Sequence, residues 1–319
     1  MQGTLALHRF RGDVLEAQCG GQAVVSTAKG ERLCWVGDVT VNVPLLACGH
    51  PLQVVALLAD KSLQSSFSEE GLAIGAAWNY GESAQNSAIK ELMTLGGFGE
   101  QYFKCGPRGM KHHCAGFHAL LLSATKYLST SLSSYNEKEG FLLKRLGDEQ
   151  LRLVRKLRTE VSFVTDECGL PSLCLPLHEI ATLYASLADT VSLPPAQGAA
   201  VGRFVAALRT RPEVYGSPSS FEGSLLTATE GDLLVRSSEN GLCTAVSFSR
   251  GWGIAVKAED GNTFTGRTLF LALIDNLGLV PSGRAATLLE SRLALRNGRG
   301  DWCGEMKPLV EVIRPNKAS

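Results

Sequence analysis

Short runs rich in β-branched, aromatic and other apolar residues predict β-strands near both ends of the chain. In the first part, residues 22–26 and 33–36 have this character and are separated by a glycine-containing turn. Three runs in the last third are also divided by turns that contain glycine: 233–236, 243–248 and 252–257. A closing strand is predicted near 310–313.

The middle of the chain predicts helices instead. Pro51 stands where proline is tolerated, in the first turn of a helix, and Ser68 precedes two glutamates as an N-cap residue does. Apolar side chains also recur with the helical period, as at Val201, Phe204 and Leu208. Further helices are predicted at 83–95, 115–128, 139–160, 176–187, 199–209 and 265–277.

Strands at both ends of a helical middle predict an α/β fold, with a mixed or antiparallel sheet built from both termini and an inserted helical lobe. We expect one domain over residues 1–319. Its sheet lobe is predicted at about 1–50 and 215–319, and its helical lobe at about 51–214.

Composition narrows the classes of partner. Of the 319 residues, 45% are hydrophobic, and 31 basic residues balance 31 acidic ones to give a formal net charge of zero. Without a basic patch, neither nucleic acid nor an anionic membrane is expected as the partner. No apolar run approaches the length of a membrane span, and residues 1–10 lack the apolar core of a signal peptide, so a cytoplasmic protein is expected.

The cysteines support the same expectation. There are nine, an odd number without paired-loop spacing, which is typical of reduced thiols in the cytosol. No Cys-x-x-Cys pair occurs, which excludes a self-contained zinc ribbon.

Three stretches carry a family resemblance. Residues 166–171, followed by Pro-Leu at 176–177, resemble an Asp-Gly-Cys-Gly-x-Pro motif. Residues 113–119 resemble Asn-Cys-Ser-Gly-Lys-His-x-Gly, and residues 253–262 resemble Gly-Ile-Ala-x-Lys-x-Glu-Asp-Gly-Asn. By these motifs, in this order, the chain resembles a divergent member of the bacterial-type (Rhizobium-type) L-asparaginase II family.

The resemblance implies a serine β-lactamase-like fold and hydrolysis of asparagine to aspartate and ammonia. It also implies an Arg-Ser-x-x-Lys run, a second serine in a Ser-His-x-Gly-Glu run, and a metal bound by Cys, Lys and Cys. A neutral lysine three residues after a serine can accept the hydroxyl proton, so this pair is a nucleophile with its own base.

This sequence departs from that machinery. Aligning on residues 51–53 places Leu46 at the arginine, Ala47 at the first serine and His50 at the lysine. Trp78 falls at the second serine, and Phe117 at the lysine that binds the metal. Loss of one catalytic member typically costs about a thousandfold or more in rate, so loss of both serines and the base predicts a replaced function.

The replacements predict a more apolar pocket than a site for a small zwitterion needs. We interpret seven residues as its substrate-binding lining: Leu46, Ala47, Trp78, Glu82, Phe117, His118 and Asn240. The alternative is an emptied site that hydrophobic residues fill for stability.

Four residues are candidates for acid–base or nucleophilic chemistry. Cys48 and His50, two positions apart, would form a Cys–His pair. Asp166 keeps the family position that would bind a substrate ammonium group, or it caps its own turn. Arg236 replaces a later family lysine.

Cys114 and Cys168 match the cysteine ligands that the resemblance implies, and two thiolates suit zinc. With Phe117 at the third ligand, a substitute would come from His118, His113 or water. The alternative is a pair of buried structural thiols. The adjacent His112 and His113 are interpreted as a polar turn. No cofactor is required by this interpretation, and zinc is the metal that would fit.

Three functions are compatible with these residues. The first is a repurposed enzyme acting on a larger, more apolar molecule by amide hydrolysis, cyclisation or isomerisation. The second is a non-catalytic protein that binds a ligand or partner in the same cleft, and the third is an asparaginase with an unrecognised nucleophile. A small-molecule ligand is the expected partner, and a homodimer is compatible with the sequence.

Overall fold

The computed structural model describes residues 3–155, 157, 159–281 and 283–315. The strands are β1 (Thr4–Arg11), β2 (Val14–Thr27), β3 (Arg32–Val36), β4 (Asn42–Pro44), β5 (Ser162–Thr165), β6 (Pro171–Pro176), β7 (Leu233–Ser237), β8 (Leu242–Ser247), β9 (Trp252–Ala258), β10 (Ala294–Arg296) and β11 (Trp302–Glu311). The helices are α1 (His50–Ala59), α2 (Glu69–Ala76), α3 (Ser83–Gly96), α4 (Ala115–Tyr127), α5 (Phe141–Val154), α6 (Leu177–Ala185), α7 (Pro195–Thr210), α8 (Pro212–Tyr215), α9 (Phe221–Ala228), α10 (Thr263–Asn276) and α11 (Arg284–Leu293).

Strands from both ends of the chain form one antiparallel sheet. In the described part of the chain it has eight strands in the order β10-β11-β1-β2-β9-β8-β7, with β3 also paired to β2. The first and last long strands lie side by side, with Thr4 opposite Glu311 and Arg11 opposite Gly304. The prediction of an α/β fold with a sheet from both termini is therefore confirmed.

The described residues group into two compact units. The sheet unit lies within 1–43, 176–188 and 228–319, and the helical unit lies within 44–175 and 189–227. Helix α6, which the sequence placed in the helical lobe, belongs to the sheet unit because it packs on β9 and β2. Gly253 permits that approach, since a Cβ there would lie 1.8 Å from the carbonyl oxygen of Ala181.

Helix α4 is the centre of the helical unit. It packs against α2 and α3, and its residues 115–125 are all buried. At Gly116 a Cβ would lie 2.1 Å from the carbonyl oxygen of Ile74 on α2, so glycine is required for the two helices to pack this closely. The helix therefore holds its first turn, which carries Phe117 and His118, in a fixed position.

The predicted helices are present, but several begin or end at other residues than predicted. The N-cap at Ser68 is confirmed, because its hydroxyl accepts a hydrogen bond of 3.1 Å from the N–H of Gly71. The helix predicted at 139–160 is shorter, since α5 ends at Val154, and residues 156 and 158 of that prediction lie outside the described residues. Within the described ranges no helix is both long and apolar enough to cross a bilayer.

Candidate functional site

The segment that aligns with the family serine and lysine is buried in the helical unit. It is a 3₁₀ turn, Leu46–Gly49, followed directly by α1. Cys48 is fully buried and Ala47 and His50 are each 1% exposed. The His50 imidazole stacks on the ring of Phe117, which is also 1% exposed, with 4.6 Å between ring centroids. Two of the replaced positions are thus occupied by one buried stack of rings.

A row of rings begins at the position of the second family serine. Trp78 stacks on His113 with centroids 4.4 Å apart, and His113 lies 4.3 Å from His112. Trp78 is also 6.4 Å from the ring of Tyr80, which is 37% exposed. The row Tyr80–Trp78–His113–His112, which we call the aromatic row, runs from an exposed ring to half-buried ones.

Asn79 fixes the loop that carries the two histidines. Its amide nitrogen donates hydrogen bonds to the carbonyl oxygens of Met110, at 2.9 Å, and His112, at 3.1 Å. Its backbone N–H also donates to the carbonyl of His113 at 2.9 Å. Asn79, the neighbour of Trp78, therefore fixes the position of this loop.

Three ligand-type atoms meet beside that loop. The Nδ1 atom of His112 and the Sγ atoms of Cys114 and Cys168 all lie within 4.8 Å of one another. His112 Nδ1 is 3.8 Å from Cys168 Sγ and accepts a hydrogen bond of 3.2 Å from the backbone N–H of Cys114. We call His112, Cys114 and Cys168 the thiol–imidazole cluster.

Cys168 reaches the cluster from the tip of a β-hairpin. Strands β5 and β6 pair antiparallel, and the turn between them contains Asp166 and Cys168. One carboxylate oxygen of Asp166, Oδ1, accepts hydrogen bonds of 2.8 Å from the N–H groups of both Cys168 and Leu170. Asp166 thus caps its own turn, which was one of the two interpretations of this residue.

The cluster favours a thiolate. Interactions with the side chains of Cys114, His112 and His118 lower the pKa of Cys168 to about 3, and they outweigh the burial that would raise it. In turn Cys168 raises the pKa of His112 above its ordinary value. The nearby thiol of Cys105 behaves oppositely, because burial raises its pKa to about 12.

Replacing Asp166 by alanine is expected to lower the free energy of unfolding by about 1–3 kcal/mol, since two buried or half-buried N–H groups lose a charged acceptor. Asp166→Asn keeps an oxygen acceptor, so its free energy of unfolding should fall clearly less. Urea denaturation followed by circular dichroism measures both changes. The control is Glu167→Ala, a substitution at the exposed neighbouring residue. Equal losses for Asp166→Ala and Glu167→Ala would contradict a capping role.

The remaining predicted site residues lie in two places. In the helical unit the Glu82 carboxylate accepts hydrogen bonds from the hydroxyl of Ser217, at 2.6 Å, and from its N–H, at 3.1 Å. In the sheet unit Arg236 is fully buried on β7 and donates to the carbonyl of Ser237 at 3.3 Å. Asn240 accepts from the N–H of Leu242, at 3.2 Å, in the β7–β8 turn.

The fold and these motifs define the class of protein. The family model for L-asparaginase II matches residues 7–308, so the chain belongs to the L-asparaginase II family. A comparison with curated protein sequences found no significant match.

Solved structures similar to this chain include several crystal structures of Mglu. Mglu in its glutamate form is 14% identical and has a TM-score of 0.41, with coverage of 82% of this chain and 62% of its own. Mglu in its L-glutamate binding form at 4.3 M NaCl is also 14% identical, with a TM-score of 0.44 and coverage of 82% and 60%. This chain therefore spans less than two thirds of the length of either.

The residues present fit the metal that the family resemblance implies, with one exchange of ligand. The ring of Phe117 is stacked on His50 and has no donor atom, so the lysine of the family pattern has no counterpart there. The cluster offers two sulfurs and one imidazole nitrogen, which is a zinc-type donor set. These three residues would hold the ion, and a bound zinc would supply either a structural link or a Lewis acid.

Sequence reasoning missed His112. The pair His112–His113 was interpreted as a polar turn, and for His112 the structure instead brings Nδ1 into the cluster. The signal was present as His-x-Cys-x₃-His over residues 112–118, in which Cys114 and His118 are four residues apart at the start of a helix. Cys114 and Cys168 were both predicted, and the structure brings them together.

Proposed function

We propose that this chain is a ligand-binding member of the L-asparaginase II family that does not hydrolyse L-asparagine by serine–lysine chemistry. The observation that carries the proposal is the buried stack of His50 on Phe117. A nucleophile must be reachable by the substrate and must have a base within hydrogen-bond distance. At these positions the chain has Ala47, which has no hydroxyl, and an imidazole that is sealed against an aromatic ring.

The aromatic row supports a larger and more apolar ligand than asparagine. The face of an aromatic ring favours planar apolar groups, and the exposed ring of Tyr80 gives such a group access to the row. The polar tip of Tyr80 is held, because its hydroxyl donates a hydrogen bond of 2.5 Å to the buried carboxylate of Glu222. A small molecule with one planar apolar part is the ligand class that we propose.

Purified protein is expected to release no ammonia from L-asparagine above the rate of a heat-inactivated sample. A coupled ammonia assay measures this, run beside Asp166→Ala, His50→Ala and a matched histidine control on the sheet, His8→Ala. Release by the wild type that His50→Ala or Asp166→Ala abolishes and His8→Ala preserves would refute the proposal. It would also restore asparaginase as the function.

A second candidate, a repurposed enzyme, is favoured by the 3.8 Å contact between Cys168 Sγ and His112 Nδ1. A cysteine beside an imidazole is an arrangement that serves nucleophilic catalysis. Turnover of a panel of aryl amides that is lost in Cys168→Ala and kept in Cys34→Ala, a buried thiol of the sheet unit, would favour this candidate over simple binding.

A further inference from the structure

The thiol–imidazole cluster offers three zinc-type ligand atoms within 4.8 Å of one another. A tetrahedral zinc with Zn–S of about 2.3 Å and Zn–N of about 2.0–2.1 Å holds its ligand atoms roughly 3.5–3.8 Å apart. The distance of 3.8 Å between His112 Nδ1 and Cys168 Sγ is close to that value. Structural zinc sites have four protein ligands, whereas catalytic ones keep a position for water. A fourth protein donor would therefore decide which kind of site this is.

His118 is placed to be that donor. It lies in the first turn of α4, four residues after Cys114, which is the N-cap residue of that helix. The imidazole is fully buried, and its Nε2 atom has no hydrogen bond of normal geometry to any residue in the described part of the chain. A buried nitrogen without a hydrogen bond is costly unless it has another use.

The other nitrogen of the ring is already oriented. His118 Nδ1 is 2.8 Å from the hydroxyl of Tyr135, which is itself fully buried and accepts a hydrogen bond of 2.8 Å from the N–H of Lys104. When Nδ1 carries the proton and donates a hydrogen bond to the hydroxyl of Tyr135, the lone pair of Nε2 is left for a metal. Histidines that bind metals are almost always held in this way through their second nitrogen.

We propose that His118 supplies the fourth ligand to the thiol–imidazole cluster and makes it a closed Cys₂His₂ zinc site. The imidazole thereby replaces the lysine that is absent at Phe117. A closed site ties together the histidine loop, the start of α4 and the tip of the β5–β6 hairpin, so the metal stabilises the helical unit and has no position for substrate. The site shares His112 with the aromatic row, but its metal content can be tested without any ligand at that row.

The test measures metal content, coordination and stability of the full chain. One zinc per chain is expected by atomic emission, and the Co²⁺-substituted protein should show the intense visible absorption of a tetrahedral site with thiolate ligands. Removal of zinc by a chelator should lower the midpoint of thermal unfolding. His118→Ala should lose this chelator-sensitive stability and weaken the Co²⁺ absorption, whereas His8→Ala and Cys34→Ser should keep both.

Two further variants separate ligation from folding. Tyr135→Phe keeps the ring and removes the hydroxyl, and it should weaken zinc affinity by about 10–100-fold while a tetrahedral Co²⁺ spectrum persists. His118→Cys supplies a thiolate at the same position and should restore binding that His118→Ala loses. Zinc bound by His118→Ala with unchanged affinity and Co²⁺ spectrum would overturn the proposal, and so would a wild-type chain that binds no zinc. Neither result would depend on ammonia release.

Discussion

Gly116→Ala is expected to lower the free energy of unfolding by about 3 kcal/mol, at the upper end of the usual cost of overpacking. The added Cβ would lie 2.1 Å from the backbone carbonyl oxygen of Ile74, and a backbone atom cannot move aside as the end of a side chain can. Helices α2 and α4 would have to separate. Because Cys114 is the N-cap residue of α4, zinc affinity should fall as well. Urea denaturation and zinc titration measure the two effects.

The matched control is a helical glycine with open space around it. A Cβ at Gly202 on α7 meets no atom within 4 Å. Alanine has the higher helix propensity, so Gly202→Ala should stabilise the chain by up to about 1 kcal/mol. If Gly116→Ala behaved like Gly202→Ala, α4 and α2 would not pack as closely as the structure has them.

The sheet could be predicted because its strands have local signals. Strands β7 and β8 are buried along their whole length and are mostly apolar, between turns that contain glycine. Helix α6 has equally clear helical periodicity, but periodicity does not say what a helix packs against. Its assignment to the sheet unit depends on contacts with β9, which lies some 70 residues later in the chain.

The hairpin β5–β6 shows a second limit. Its strands have only four and six residues. The motif in its turn was interpreted as part of a functional site, and no hairpin was predicted there. Asp166 was expected either to bind an ammonium group or to cap a turn. Only its hydrogen bonds to Cys168 and Leu170 show the capping role, and the ammonium role stays a prediction.

Within the candidate site, the motifs identified the two cysteines but not the first histidine. Cys114 and Cys168 stand in recognisable patterns, whereas His112 precedes its motif and lies on a loop without regular structure. Its position depends on Asn79, about 30 residues earlier, which holds the loop by hydrogen bonds. Hydrogen bonds between residues so far apart leave no local signal in a single sequence. From the sequence alone, the only indication of a role for His112 is its His-x-Cys spacing to Cys114.

The replaced serine–lysine site leads to the prediction with the largest effect. Phe117→Ala should lower the free energy of unfolding by about 3–5 kcal/mol, the usual cost of deleting a fully buried phenylalanine side chain. Phe117→Leu removes less volume and should cost clearly less. Urea denaturation measures both, and a double-mutant cycle with His50→Ala should give a coupling of about 0.5–1.5 kcal/mol from the stacked rings.

The loss of free energy of unfolding in Phe117→Ala distinguishes the two explanations of the apolar replacements, a site filled for stability and a pocket that binds a ligand. If Phe117 fills the former site for stability, the cost is that of a core residue, and the cavity left by alanine should not restore ammonia release. If Phe117 instead lines a pocket that a ligand enters, the ring is not needed for packing. Phe117→Ala should then cost less than about 1 kcal/mol, as a substitution outside the core does, and the coupling with His50 should disappear. That result would support the apolar pocket predicted from the sequence and would favour the repurposed enzyme.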